Sequence, residues 1–141
     1  RARQHVLDDV RLLQAVETGA VSEIGDSELR AAELPDALLN ELLIARRRGA
    51  VMAAWADGRP VSFATAPWRT DRWYDISVDT LPEYRRQGHA TRAFAALWRQ
   101  LRERGLAPVW GAEASNCASL AMATQLGFVR AGEVLVFRQT G

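Results

Sequence analysis

The chain has a single cysteine, Cys117, in 141 residues. That excludes an internal disulfide and any multi-cysteine metal centre, and it fits a reducing cytoplasm, the expected location. Charge of either sign is not in surplus: 18 Lys and Arg stand against 17 Asp and Glu, a net charge of +1. A nucleic-acid partner would need a localised basic face, so none is expected. No apolar run approaches the roughly 20 residues of a membrane-spanning helix, so no membrane partner is expected either. The ten glycines form neither a G-x-x-x-x-G-K-[ST] loop for a nucleoside triphosphate nor a three-glycine dinucleotide fingerprint. An initial methionine and a signal-like apolar core are also lacking, which leaves a longer natural chain open. What is present is the make-up of one globular domain, 48% hydrophobic and 25% charged, long enough to bury a core and too short for two.

The spacing of apolar residues divides the chain into elements of alternating type. Val10 to Val16 and Ala20 to Ile24 read as two short extended runs about a glycine-bearing turn, the first of which could equally be a helix. "DSELRAAELPDALLNELLIARRRG" reads as two helices: a cap at Asp26 or Ser27, a break at Pro35 and a stop at Gly49. Asp57-Gly58 between two apolar runs predicts a hairpin. Trp73 to Thr80 alternates Ile76 and Val78 with Asp75, Ser77 and Asp79, the period of a strand with one polar face. Phe94, Leu97, Trp98 and Leu101 share a helical face within Thr91 to Arg104, and Gly105 ends that helix. "APVWGAEA" reads as a strand, "NCASLAMATQL" as a helix closed by Gly127, and "EVLVFRQ" as a last strand.

Between the strand near Thr80 and the helix near Ala90 lies "YRRQGHATRAF". A helix start carries backbone N–H groups without partners and a partial positive charge, and a glycine there lets an anion approach the main chain. Gly88 is that glycine, with Arg85 and Arg86 beside it.

"TLPEYRRQGHATRAF" followed by "WGAEASNCASLAMATQLGF" resembles the GNAT superfamily of acyl-CoA-dependent N-acetyltransferases. The family pattern of Arg or Gln, two residues, Gly, one residue, Gly or Ala is filled by Arg85, Gly88 and Ala90. A downstream asparagine and a Leu-Gly-Phe are matched by Asn116 and Leu126-Gly127-Phe128. The likeness runs from about Trp55 to Phe137. It implies a single α/β (α+β) domain over residues 19–141, with a mixed, mostly antiparallel sheet of about six to seven strands and helices on both faces. Residues 1–18 form an N-terminal extension or an extra strand or helix. Acetyl-CoA is the implied cosubstrate, without a metal. Its pyrophosphate would lie on Arg86, Gln87, Gly88, His89, Ala90 and Thr91, with Arg85 adjacent, and its pantetheine arm along Val78, Asp79 and Thr80. Asn116 would hydrogen-bond the pantetheine or the thioester region, a role it could share with capping the helix, and Ser119 on the next helical turn is a further candidate.

The implied reaction is attack by a neutral amine on an acetyl thioester. It needs a base for the amine, a donor for the oxyanion and a proton for the thiolate. A backbone N–H near Thr80 could serve as donor. The tyrosine that many members carry seven residues after the asparagine is replaced by Ala123, and a glutamate carried five residues before it is replaced by Gly111. Asp79 and Glu113 are therefore the catalytic candidates, Glu113 lying two residues beyond Gly111 on the same side of a strand. An unperturbed histidine has a pKa near neutrality, which suits acid–base work, but in the loop the backbone of His89 matters more than its ring.

Arg46, Arg47 and Arg48 suit a helix C-terminus, Cys117 has no visible base partner, and Tyr84 is expected to pack beside the loop. Trp68 and Trp73 flank the turn before the central strand as candidate walls of an acceptor site. The expected partners are a small-molecule or peptide amine acceptor and a second copy of the chain as a homodimer. The competing readings are a noncatalytic acyl-CoA-binding or regulatory module, which Ala123 and Gly111 favour, and a nucleic-acid-binding domain, which would show steep salt dependence.

Overall fold

The computed structural model describes residues 2–7, 10–113 and 117–134. Asp57 and Gly58 take φ angles of 53° and 75°, the positive pair that a tight hairpin between right-twisted strands needs. They join β3 (Met52–Ala56) to β4 (Arg59–Thr65). β2 (Val21–Glu23) pairs with the outer edge of β3, and β6 (Ser77–Thr80) with the free edge of β4, giving the order β2-β3-β4-β6. A second sheet has the order β5-β7-β1-β8, built from β5 (Trp73–Asp75), β7 (Ala107–Glu113), β1 (Ala2–Leu7) and β8 (Phe128–Val134).

Helices cover both faces of the first sheet, and the period-two alternation of its strands says which residue meets which helix. Met52, Ala54 and Ala64 join the core of α4 (His89–Arg102), while Val51, Ala53, Val61 and Phe63 join that of α2 (Asp26–Ala31) and α3 (Asp36–Arg48). α4 buries Ala93, Phe94, Ala95, Leu97, Trp98 and Leu101, which makes it the central support of the molecule. Phe94 meets Trp110 edge-on at 5.7 Å and Phe128 at 5.9 Å between ring centroids, so the same helix also anchors the second sheet. On that sheet's strand β8 packs α5 (Cys117–Gln125).

The N-terminal strand lies inside the second sheet. β1 runs antiparallel to both β7 and β8, with His5 opposite Trp110 on one side and Arg130 on the other. The segment that follows is tied to α4 by Arg99, which donates to Thr18 Oγ1 at 2.9 Å and to the carbonyls of Leu13, Gln14 and Val16. An arginine fork can satisfy several carbonyls of one loop at once.

Several elements differ from the sequence expectation. Among the described residues there are eight strands rather than six or seven, because the central strand breaks at Ile76 and the N-terminal segment adds one. Of the two alternatives for Val10 to Val16 the helix is the one formed, α1 (Arg11–Ala15), and not the extended run. α2 is capped by Gly25 instead of Asp26 or Ser27: the Gly25 N–H donates to Glu28 Oε1 at 3.3 Å. The last strand begins at Phe128, and residues 135–139 of the expected "EVLVFRQ" strand lie outside the described residues.

Candidate functional site

The break at Ile76 makes the site. Trp73 to Asp75 pair in parallel with Ala107 to Val109 of β7, whereas Ser77 to Thr80 pair antiparallel with Thr65 to Ser62 of β4. The two sheets therefore part between β6 and the second half of β7. The Leu81 N–H donates to the Val61 carbonyl, and antiparallel pairing alternates its bonds from residue to residue. Asp79 and Ser77 accordingly bond toward β4, and Val78 and Thr80 point their N–H and C=O groups at the open edge. The Thr80 carbonyl there accepts a bond from Arg85 Nε at 3.4 Å.

Below that edge α4 begins. Gly88, its N-cap, has φ of 83°, and Arg86 has φ of 63°. These left-handed residues turn the chain so that the unpaired amides of the first helical turn face outward. A Cβ built at Gly88 would meet nothing within 4 Å, so the glycine serves the backbone angle and leaves the approach clear.

The cleft enclosed has a volume of about 1070 Å³. Of the residues expected to hold the cofactor, Val78, Asp79, Thr80, Arg85, Arg86, Gly88, His89, Ala90, Thr91 and Ser119 line it, and Gln87 does not. Asn116 lies outside the described residues, as does the side chain of Glu113, the last residue of β7. Trp110 and Gly111 form the opposite wall with Ser119 and Met122 of α5. Trp110 donates its indole N–H to Ser119 Oγ at 3.0 Å, which orients both. Ala123 is fully buried in the core and does not line the cleft, so the spacing from Asn116 points into the protein here. The Tyr84 hydroxyl donates to Asp57 Oδ2 at 3.0 Å; that bond, ahead of burial, raises its pKa and keeps the phenol protonated. His89 contacts Gln87 and Arg92. Burial first and Arg92 second lower its pKa, so the ring stays neutral at pH 7.

The expected polar face is divided by the break. Asp75 turns to the preceding loop, where its Oδ1 accepts the Trp68 N–H at 2.7 Å. Asp79 is the only carboxylate among the described residues lining the cleft. It sits opposite Phe63, so it belongs to the α3 face of the sheet. There Asp79 and Ser77 also border a second, smaller groove of about 230 Å³ against α3, with Glu41, Ile44 and Arg48 on its walls. Burial, then the charge of Glu41, push the Asp79 carboxyl above the ordinary range, while Arg85 pulls it back. Trp68 is 68% exposed and Trp73 44%; Trp68 stands under the Arg48 guanidinium, 4.9 Å from its ring centre. The groove residues of α3 went unseen in the sequence because Glu41, Ile44 and Arg48 read as an ordinary solvated helix surface.

A parted sheet with an amide-lined helix start at its mouth defines the class. Residues 45–137 match the family model described as GNAT acetyltransferase, and the chain belongs to that family. The fold is shared with a GNAT-family protein from Novosphingobium aromaticivorans DSM 12444, at 24% identity and a TM-score of 0.72 over 94% of this chain and 61% of that one. It is shared likewise with the aminoglycoside N-acetyltransferase AAC(6')-Iy, solved in complex with CoA, at 20% identity and a TM-score of 0.63 over 86% and 99%. A third is the ribosomal-protein-S18-alanine N-acetyltransferase from Escherichia coli, at 24% identity and a TM-score of 0.63 over 79% and 77%. The chain spans less than two thirds of the Novosphingobium protein and 52% to 59% of three further structural relatives. No curated protein sequence matches it. Among the described residues no group of acidic, histidine or cysteine side chains could hold a metal, and no helix is long and apolar enough to cross a membrane.

Proposed function

We propose that the chain transfers an acetyl group from acetyl-CoA to a primary amine by direct attack. The observation that carries the reading is that one strand, β6, borders both openings: a large cleft with an anion-binding helix start on one side and a small acid-bearing groove on the other. The solved complexes of AAC(6')-Iy with CoA and with a bisubstrate analogue of CoA and acetylneamine lend support by analogy of fold.

Acetyl-CoA brings the activated acyl group as a thioester. The first amides of α4 hold its pyrophosphate, assisted by Arg85 and Arg86, because an anion there meets both the free N–H groups and the helix dipole. The outward N–H and C=O groups of Val78 and Thr80 pair with the amides of the arm as an added strand would. One of these N–H groups also faces the acetyl oxygen and stabilises the charge that develops on it. The amine enters from the α3 groove and gives its proton to Asp79, whose raised pKa makes it a better base than an exposed aspartate. Among the described residues, those of α5 that line the cleft carry no titratable group. A thiol with an ordinary pKa of about 8.5 can nevertheless leave as the anion.

With acetyl-CoA and a panel of primary amines, free thiol is expected to appear at rates that depend on the amine. The second reading, a noncatalytic acyl-CoA-binding module, is favoured by the absence of an acid on α5. It predicts that acetyl-CoA raises the melting temperature while no amine accelerates thiol release.

A further inference from the structure

The groove beside Asp79 is polarised along its length. Its walls on α3 are Glu41, Leu42, Ile44, Ala45 and Arg48, positions that recur on one helical face and span two turns, roughly 10 Å. The Glu41 end adjoins Asp79, which also lines the cofactor cleft. The middle is apolar, with Ile44, half exposed, and Ala45 on its α3 wall. At the far end Arg48 is fixed by two contacts, its Nη1 donating to the Pro67 carbonyl at 3.5 Å and its guanidinium lying over Trp68. An ammonium is attracted at one end and repelled at the other.

Resting on the acyl-transfer reading, we infer that this groove selects a primary amine with one cationic end, an apolar body and a neutral or anionic distal group, and that it rejects polycations. Glu41 draws the ammonium to Asp79, where it loses one proton to solvent and attacks as the neutral amine that then gives a second proton to Asp79; Arg48 with Trp68 sets the limit on the distal group. The acceptor class thus differs from the aminoglycosides named for the relative AAC(6')-Iy.

The test uses three acceptors that share one six-carbon chain: hexylamine, 6-aminohexanoate and 1,6-diaminohexane. Thiol release should give kcat/KM in the order 6-aminohexanoate, hexylamine, diaminohexane, with about tenfold between first and last, the scale of an attraction replaced by a repulsion near the surface. Arg48→Glu should reverse that order. Glu41→Gln should raise KM for hexylamine several-fold and leave the melting shift given by acetyl-CoA unchanged. The melting temperature of the CoA complex with each amine added provides the same ranking without turnover. Equal responses to all three amines in both measurements, or a preference untouched by Arg48→Glu, would overturn the proposal. An absent acetyl-CoA shift would instead remove the acyl-transfer reading itself, and this inference with it.

Discussion

Replacing Gly88 with glutamate is expected to abolish the stabilisation that acetyl-CoA gives the wild-type protein. At a coenzyme concentration about 100 times Kd, the wild type should gain about 2.7 kcal/mol, a rise in melting temperature on the order of 10 °C for a chain of this size. Two effects act at Gly88. Its φ of 83° is a conformation that any residue with a Cβ adopts at a cost of about 1 to 2 kcal/mol. The new carboxylate would also occupy the position of the pyrophosphate, at a helix start that attracts any anion. Because that same attraction favours the carboxylate, and because a Cβ at Gly88 meets no neighbour within 4 Å, the variant should still fold. Gly88→Ala separates the contributions: it carries the backbone cost without the charge, so it should melt earlier and yet keep a reduced shift. Thermal melts of the three proteins with and without acetyl-CoA decide the matter. A full shift in Gly88→Glu would place the cofactor elsewhere.

The second large effect is expected at Asp79. Asp79→Asn should lower kcat by roughly 10²- to 10⁴-fold, the usual contribution of a positioned base. It should also remove the acid limb of the pH–rate profile, which the raised pKa of Asp79 places above the ordinary carboxylate range. Stability should move the opposite way. A carboxyl whose pKa is raised on folding binds its proton more tightly in the native state. Its ionisation therefore subtracts from stability as pH climbs from the unfolded value of about 3.9 through the raised one, and the loss is complete above it. At pH 7 the asparagine variant escapes that loss and should melt higher than wild type; below the unfolded value the difference should vanish. A slower enzyme that is also more stable is the signature of a base kept in a costly place. Full activity in Asp79→Asn would remove it from the mechanism.

The helix start at Gly88 was legible in the sequence for a physical reason. A helix start open to an anion needs main chain and one residue able to take a positive φ, and Gly88 before the α4 periodicity states both. The hairpin at Asp57-Gly58 was legible in the same way, since two adjacent positive φ angles demand those residue types. What failed to show is where a strand changes partner. The alternation from Trp73 to Thr80 continues through Ile76 without interruption, although β5 pairs with β7 and β6 with β4. Asp75 and Asp79 thus look equivalent in the sequence and stand in different surroundings in the fold. Ala123 teaches a related lesson. A spacing counted from Asn116 carries a relative's helix rotation with it, and in α5 the cleft is faced by Ser119 and Met122, with Ala123 in the core. The place of β1 between β7 and β8 depends on pairings over a hundred residues apart, which no local pattern encodes.

The claim that β6 divides a cofactor cleft from an acceptor groove is tested most directly by a crystal structure of the protein with CoA. The pyrophosphate should lie against the amides at the start of α4, the pantetheine along the outward edge of Val78 and Thr80, and the sulfur where Asp79 borders both openings. A coenzyme bound with its sulfur away from Asp79, or its phosphates away from Gly88, would contradict it.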